Sequence, residues 1–182
     1  LQNIELFKAY EITKIITICP HCFNIFKNEY PDLGGNYEVI SYVELLDKFI
    51  QDGKLKVNAD TFKNSRITYH DPCYLGRAND MYDEPRRVIK SVSGDVVEME
   101  RNKSFALCCG AGGAQMFKEA EKGDKEVFLE RMDDVLKANP DIIATACPFC
   151  MTMMTDGIKY KNQEEKMKNY DIAELIVMSL GL

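Results

Sequence analysis

Cysteine is the residue type here whose number and spacing suggest chemistry: seven stand in a chain of 182 residues. Cys19 and Cys22 form C-P-H-C, Cys147 and Cys150 form C-P-F-C, Cys108 and Cys109 are adjacent, and Cys73 closes the segment H-D-P-C. Two residues between cysteines let both thiolates turn toward one centre, which is why this spacing recurs in zinc and iron–sulfur sites. Soft thiolates select zinc, copper(I) or iron–sulfur over hard cations. An odd number of cysteines leaves a fully paired disulfide framework one thiol over, and nothing points to secretion. With two histidines the chain is thinly equipped for a Cys/His zinc finger.

Three readings are open at this point. Buried structural thiols would explain any one cysteine, since free Cys is among the most buried residue types. A redox C-x-x-C pair of thioredoxin type needs a strand before it and a helix after it, and it leaves Cys73, Cys108 and Cys109 without a role. A cluster site built from Cys73, Cys108, Cys109, Cys147 and Cys150 uses all five. Around these positions stand further candidates. Gly110, Gly112 and Gly113 follow the adjacent pair, and small residues let backbone N–H groups approach sulfur closely and offset its charge; they also suit a tight turn. His70, three residues before Cys73, is either a hydrogen-bonded histidine at a strand end or a proton donor to a thiolate. Arg77 either complements a cluster's charge or pairs with a carboxylate such as Asp80.

The elements that must carry these residues alternate. Short β-branched runs at Ile15–Ile18, Tyr37–Ile40, Arg66–Tyr69, Asp95–Glu98 and Ile142–Ala146 predict strands. Helices are predicted from the start of the chain to about Tyr10, and over Phe23–Glu29, Tyr42–Gln51, Pro85–Ser91, Gln115–Ala138 and Ala173–Ser179. The long one should break at Gly123-Asp124; beyond it Phe128, Met132 and Val135 recur at helical spacing and should face a core. The charged run Lys159–Lys168 reads as a solvated loop. Strand–helix alternation predicts an α/β, Rossmann-like layered fold with a largely parallel sheet. Cysteines at the carboxyl ends of three strands then fall on one edge, where open α/β sheets bind ligands.

An internal repeat organises the chain. Lys14–Cys22 matches Ile142–Cys150 as an apolar strand followed by C-P-x-C, and Ser41–Leu46 matches Asp171–Ile176 as two capping boxes. Only the second copy has Cys73, Cys108 and Cys109 ahead of its C-P-x-C. The chain therefore reads as a tandem pseudo-repeat with the first copy truncated: residues 1–57 end one copy, residues 66–182 form a complete one, and the polar connector Asn58–Ser65 divides them. The net charge of −6, with pI near 5.1 and no basic stripe, argues against nucleic acid as a partner. A 46% hydrophobic, 29% charged composition is that of a globular domain. No apolar run reaches the roughly 18–20 residues of a membrane span. No targeting signal follows Leu1, and the chain reads as a piece of a longer protein.

The segments Y-H-D-P-C-Y-L-G-R (Tyr69–Arg77), M-Y-D-E-P-R (Met81–Arg86), C-C-G-A-G-G (Cys108–Gly113) and T-A-C-P-F-C (Thr145–Cys150) resemble the cysteine-rich CCG domain of heterodisulfide reductase subunits B and D and related bacterial iron–sulfur oxidoreductases. That resemblance implies tandem domains. It also implies an iron–sulfur cluster, a [4Fe-4S] centre of non-cubane type in heterodisulfide reductase, held at Cys73, Cys108, Cys109, Cys147 and Cys150. Cys19 and Cys22 match the last two ligands of the preceding domain and would form a half-site, with zinc as an alternative occupant. The implied role is an electron-transfer oxidoreductase subunit, with a ferredoxin or flavoprotein donor and a disulfide or quinone acceptor. A cytoplasmic location is implied, at or tethered to the membrane through a portion upstream. Two rivals keep their place: a zinc-stabilised structural module and a metal-free thiol–disulfide exchange protein.

Overall fold

The computed structural model describes residues 1–120 and 122–182. Among them, eight α-helices alternate with five short strands. The first unit runs α1 (Gln2–Ala9), β1 (Lys14–Thr17), α2 (Pro20–Asn24), a continuation of α2 as a π-helical turn over Ile25–Glu29, β2 (Glu38–Ser41) and α3 (Tyr42–Gln51). The second runs β3 (Ile67–Tyr69), α4 (Gly76–Asn79), α5 (Asp83–Ser93), α6 (Val127–Ala138), β4 (Ile142–Thr145), α7 (Pro148–Tyr160), β5 (Lys168–Asp171) and α8 (Ile172–Ser179). All strand pairs are parallel, as the alternation requires. They form two sheets, one of β1 and β2 and one in the order β3–β4–β5, where one continuous sheet was the simplest expectation.

Both predicted capping boxes form. Ser41 Oγ accepts from the Val43 amide and Glu44 Oε2 from the Ser41 amide; Asp171 and Glu174 do the same at α8, at 2.8 and 2.7 Å. The two helix starts are also tied together. Tyr42, the first residue of α3, donates its hydroxyl to both carboxylate oxygens of Asp171 at 2.9 and 2.8 Å. Burial and the neighbouring carboxylate hold that phenol far above its ordinary pKa, so it stays a donor.

Period-two alternation along β4 divides the core. Ile142 and Ala144 join one cluster with Tyr69, Val88, Ile89, Ile172 and Leu175. Ile143 joins the other, with Met132, Val135, Met154, Cys109, Cys147 and Cys150. Met132 and Val135 thus face the core as their spacing predicted, and full burial of each such side chain is worth about 1.5–3 kcal/mol.

Several sequence expectations need correction. Asp95–Glu98 is not a strand: it lies beside β3 with a Val97 amide bond to the Ile67 carbonyl, but no ladder continues from it. The long helix predicted over Gln115–Ala138 is a short 3-10 turn at Gln115–Phe117 and then α6 from Val127; the break is much wider than Gly123-Asp124. Lys159–Lys168 is not one solvated loop, because α7 runs through Tyr160, Met167 is buried and β5 begins at Lys168. The segment Lys168–Asp171 lacks any β-branched residue, so its strand character comes from pairing with the buried β4 and not from propensity.

Behind the H-D-P-C turn lies a buried ion network. Arg86 of α5 forks onto Asp71 at 2.8 and 2.9 Å and onto Glu98 at 2.6 and 2.9 Å, while the Lys103 amide also donates to Asp71. The Arg86 and Asp71 side chains are 7% and 3% exposed. Removing one partner of such a pair strands a buried charge, which costs about 3–5 kcal/mol. Arg86→Met should therefore lower the stability read from urea unfolding by about that amount. Lys14→Ala, which breaks the exposed Lys14–Glu38 pair, should stay within about 1 kcal/mol.

Candidate metal centre

The C-P-x-C segments are built alike. Cys147 is the N-cap of α7, Pro148 takes the first helical position where its missing N–H is no loss, and Cys150 follows within the first turn. Cys19 and Pro20 hold the same places at α2. An N-cap sulfur lies at the unpaired amides of the first turn, and the nearby Phe149 and Cys150 amides help to lower the Cys147 thiol. The other ligand candidates arrive on loops: Cys73 after β3, and Cys108 and Cys109 in the segment between α5 and α6.

Cys73, Cys108, Cys109, Cys147 and Cys150 all line one small cavity of about 40 Å³. Cys150 Sγ donates to Cys109 Sγ at 3.4 Å, and the thiols influence one another's ionisation in the order Cys73–Cys108–Cys109–Cys150–Cys147. Bonds from Cys109 and Cys73 pull the Cys108 thiol far below its ordinary range, and the Gly110 amide, 3.3 Å from that sulfur, adds to the effect. The bond from Cys150 lowers Cys147 to about 7. The donating thiols move the other way: Cys109 is pushed up to about 12 by its bond to Cys108, Cys73 is raised by Cys108 and by burial, and Cys150 by its neighbours and burial. Five sulfurs this close cannot all ionise without a cation to hold them. The donor set, all soft and convergent, fits an iron–sulfur or zinc centre and no hard metal.

His70 is buried at the back of the cavity. Its amide donates to the Ala144 carbonyl at 3.0 Å, and one ring nitrogen lies within 4.8 Å of the Cys109 and Cys150 sulfurs. Burial, and then the Arg131 guanidinium, lower its pKa to about 3, so the ring is neutral. Among the glycines, Gly110 (φ 87°) and Gly113 (φ 64°) take left-handed backbone, and Gly112 lines the cavity. The turn they form leads only into the short Gln115–Phe117 segment and not into a long helix. Arg77 donates to the Ala106 carbonyl at 2.6 Å, not to Asp80.

Cys19 and Cys22 do not line the cavity, but the two residues between them, at the start of α2, do. Pro20 and His21 cover one side of it, with the His21 ring 4.4 Å from Tyr74 and 5.3 Å from Phe149, centroid to centroid. This aromatic rim was not anticipated from the sequence. The one signal pointing toward it was the repetition of C-P-x-C, which says nothing about where the first copy packs. Arg131 and Arg101, which converge on Asp134, were also missed: Arg131 because a charge on an amphipathic helix reads as solvent-facing, and Arg101 because a charge between elements reads the same way.

Comparison with known proteins agrees with this arrangement. The family model for the cysteine-rich CCG domain matches residues 1–27 and 67–155. The chain is 46% identical over 181 residues to the EtfAB:quinone oxidoreductase of Syntrophomonas wolfei, covering 96% of this chain and 25% of that protein. It is 43% identical to the probable iron-sulfur-binding oxidoreductase FadF of Bacillus subtilis, with 98% and 25% covered. It is 37% identical to one subunit of the dihydromethanophenazine:CoB–CoM heterodisulfide reductase of Methanosarcina barkeri, with 100% and 44% covered. The chain thus spans a quarter to under half the length of these relatives. It belongs to the CCG cysteine-rich domain family.

Proposed function

We propose that this chain is the cluster-holding part of an iron–sulfur electron-transfer oxidoreductase subunit. The observation that carries the reading is the convergence of five thiols on one cavity. Cys73, Cys108, Cys109, Cys147 and Cys150 would hold a [4Fe-4S] cluster, and a fifth thiolate suits a non-cubane form. When bound, such a cluster accepts and releases single electrons. The protein's part is electrostatic and steric. The Gly110 amide and the first-turn amides of α7 offset thiolate charge, and His70 contributes a donor from behind. Pro20, His21 and Tyr74 line one side of the site, with Phe149 packed on His21, and their low polarity raises the effect of each of these dipoles.

The name of the Syntrophomonas relative supports electron entry from a flavoprotein-type donor and exit to quinone; the name of the heterodisulfide reductase relative supports a disulfide acceptor, with a ferredoxin as the alternative donor. The chain would then be a relay working on the cytoplasmic side at the membrane. No helix among the described residues is long and apolar enough to cross one, so contact with the membrane would be through a further portion or partner. Residues 1–57 would complete a first CCG domain whose remaining strand joins the open edge of β1, where Ile16 is 53% exposed. Cys19 and Cys22 would take their remaining partners, for iron–sulfur or zinc, from that added segment.

Anaerobic preparation with iron and sulfide, followed by metal analysis and EPR before and after oxidation, tests the reading. Brown protein with about four irons per chain is expected. Stoichiometric zinc with colourless protein would identify a structural module instead, and disulfide exchange that survives complete metal removal would identify a thiol enzyme. Cys108→Ser and Cys147→Ser should each reduce the iron content or convert the EPR signal. Cys22→Ser should leave both unchanged, because Cys22 is not at the cavity.

A further inference from the structure

Arg131 is the largest of the fully buried side chains, with its charge 0% exposed. Its Nη1 donates to the Arg101 carbonyl at 2.6 Å and to Asp134 Oδ2 at 3.2 Å, and its Nε donates to His70 Nδ1 at 3.1 Å. Nη2 has no partner among the described residues. A buried ion pair gains little over apolar packing of the same volume, and an unsatisfied N–H adds a further cost. Packing alone therefore gives no reason for an arginine at this position. Its contact with His70 gives one.

A guanidinium has only donors and stays protonated, so the atom facing its Nε–H must present a lone pair. Nδ1 of His70 therefore carries no proton. An imidazolium is excluded by the same contact, since it would set one N–H against another. The single ring proton is left on Nε2. With Nδ1 held by Arg131, Nε2 is the nitrogen left to donate in a ring that has one of its nitrogens within 4.8 Å of the Cys109 and Cys150 sulfurs.

We propose that Arg131 is a positioning residue that locks His70 in its Nε2–H tautomer, so that the ring presents a donor and never a lone pair to the cysteine sulfurs. Two consequences follow for the metal centre, and these rest on the function proposed above. An Nε2–H directed at the sulfurs would offset thiolate charge. The ring is also kept out of the ligand set: neutral imidazole is a common metal ligand, and His70 with Cys109 and Cys150 would otherwise form a compact three-donor site. Arg131 thus preserves an all-cysteine donor set.

The tautomer can be read by two-bond 1H–15N correlation on the full chain labelled at histidine and arginine, with and without iron. Only two histidines are present, and His70→Gln assigns the signals. The parent chain should show His70 as Nε2–H alone, with a coupling across the hydrogen bond between Arg131 Nε and His70 Nδ1. Arg131→Lys, which keeps a donor, should retain the tautomer; Arg131→Met should lose it to a mixture or to Nδ1–H. An Nδ1–H or doubly protonated ring in the parent, or an unchanged Nε2–H pattern in folded Arg131→Met, overturns the proposal. Should Arg131→Met fail to fold, the coupling in the parent decides: its presence supports the proposal and its absence overturns it. Iron content of the same samples is an independent readout. A chain with the expected tautomer that takes up no iron would defeat the cluster reading and leave the role of Arg131 intact.

Discussion

Like charges resist being gathered, and five sulfurs lining a cavity of about 40 Å³ put that resistance at the centre of this protein. Without a cation the thiols divide, with Cys108 and Cys147 held low and Cys73, Cys109 and Cys150 held high by their neighbours and burial. Each of the lowered thiols has backbone help: the Gly110 amide for one, the first turn of α7 for the other. Much of the surrounding architecture can be understood as the means of holding this unfavourable assembly in place. The sulfurs come from a post-strand turn, an adjacent pair on a loop and a helix start, so no single element can relax without the others.

The scaffold meets the charge with charge. The H-D-P-C turn hangs on Arg86 through Asp71, and His70 in the same turn rests on Arg131, itself paired with Asp134. Asp134 in turn accepts from Arg101 at 2.8 Å through both oxygens. Alternating cations and carboxylates thus back the cavity on the side away from the aromatic rim. Such networks gain little net stability over apolar packing, but they fix geometry, because each member is expensive to leave unpaired.

The two units share an apolar core, the Arg87–Asp47 ion pair and bonds linking Asn24 and Asn28 to Asn79, and two further contacts join them. One is polar, where Tyr42 of α3 caps the same Asp171 that starts α8. The other is aromatic, where His21 of the first C-P-x-C packs on Tyr74 and Phe149 of the second unit. The first unit therefore contributes to the site without placing its own cysteines in it, and this makes the start of α2 a wall of the centre and not a donor to it.

What the sequence determined is what local chemistry dictates. The five cysteines, the proline at the first helical position of each C-P-x-C, the two capping boxes and the strand–helix alternation are all properties of a few neighbouring residues, and each took its expected local form. The apolar stripe of Met132 and Val135 was legible for the same reason. Tertiary structure decided the rest. Lys168–Asp171 became a strand because a buried neighbour needed a hydrogen-bonding partner, and Asp95–Glu98, better suited by composition, found no neighbour on its other side and formed no ladder. Arg131 is buried because His70 and Asp134 meet it there, although their sequence distance from each other hides the encounter. Spacing along a chain reports which side chains share a face of one element; it carries no information on which elements meet, and burial of a charge depends wholly on that meeting.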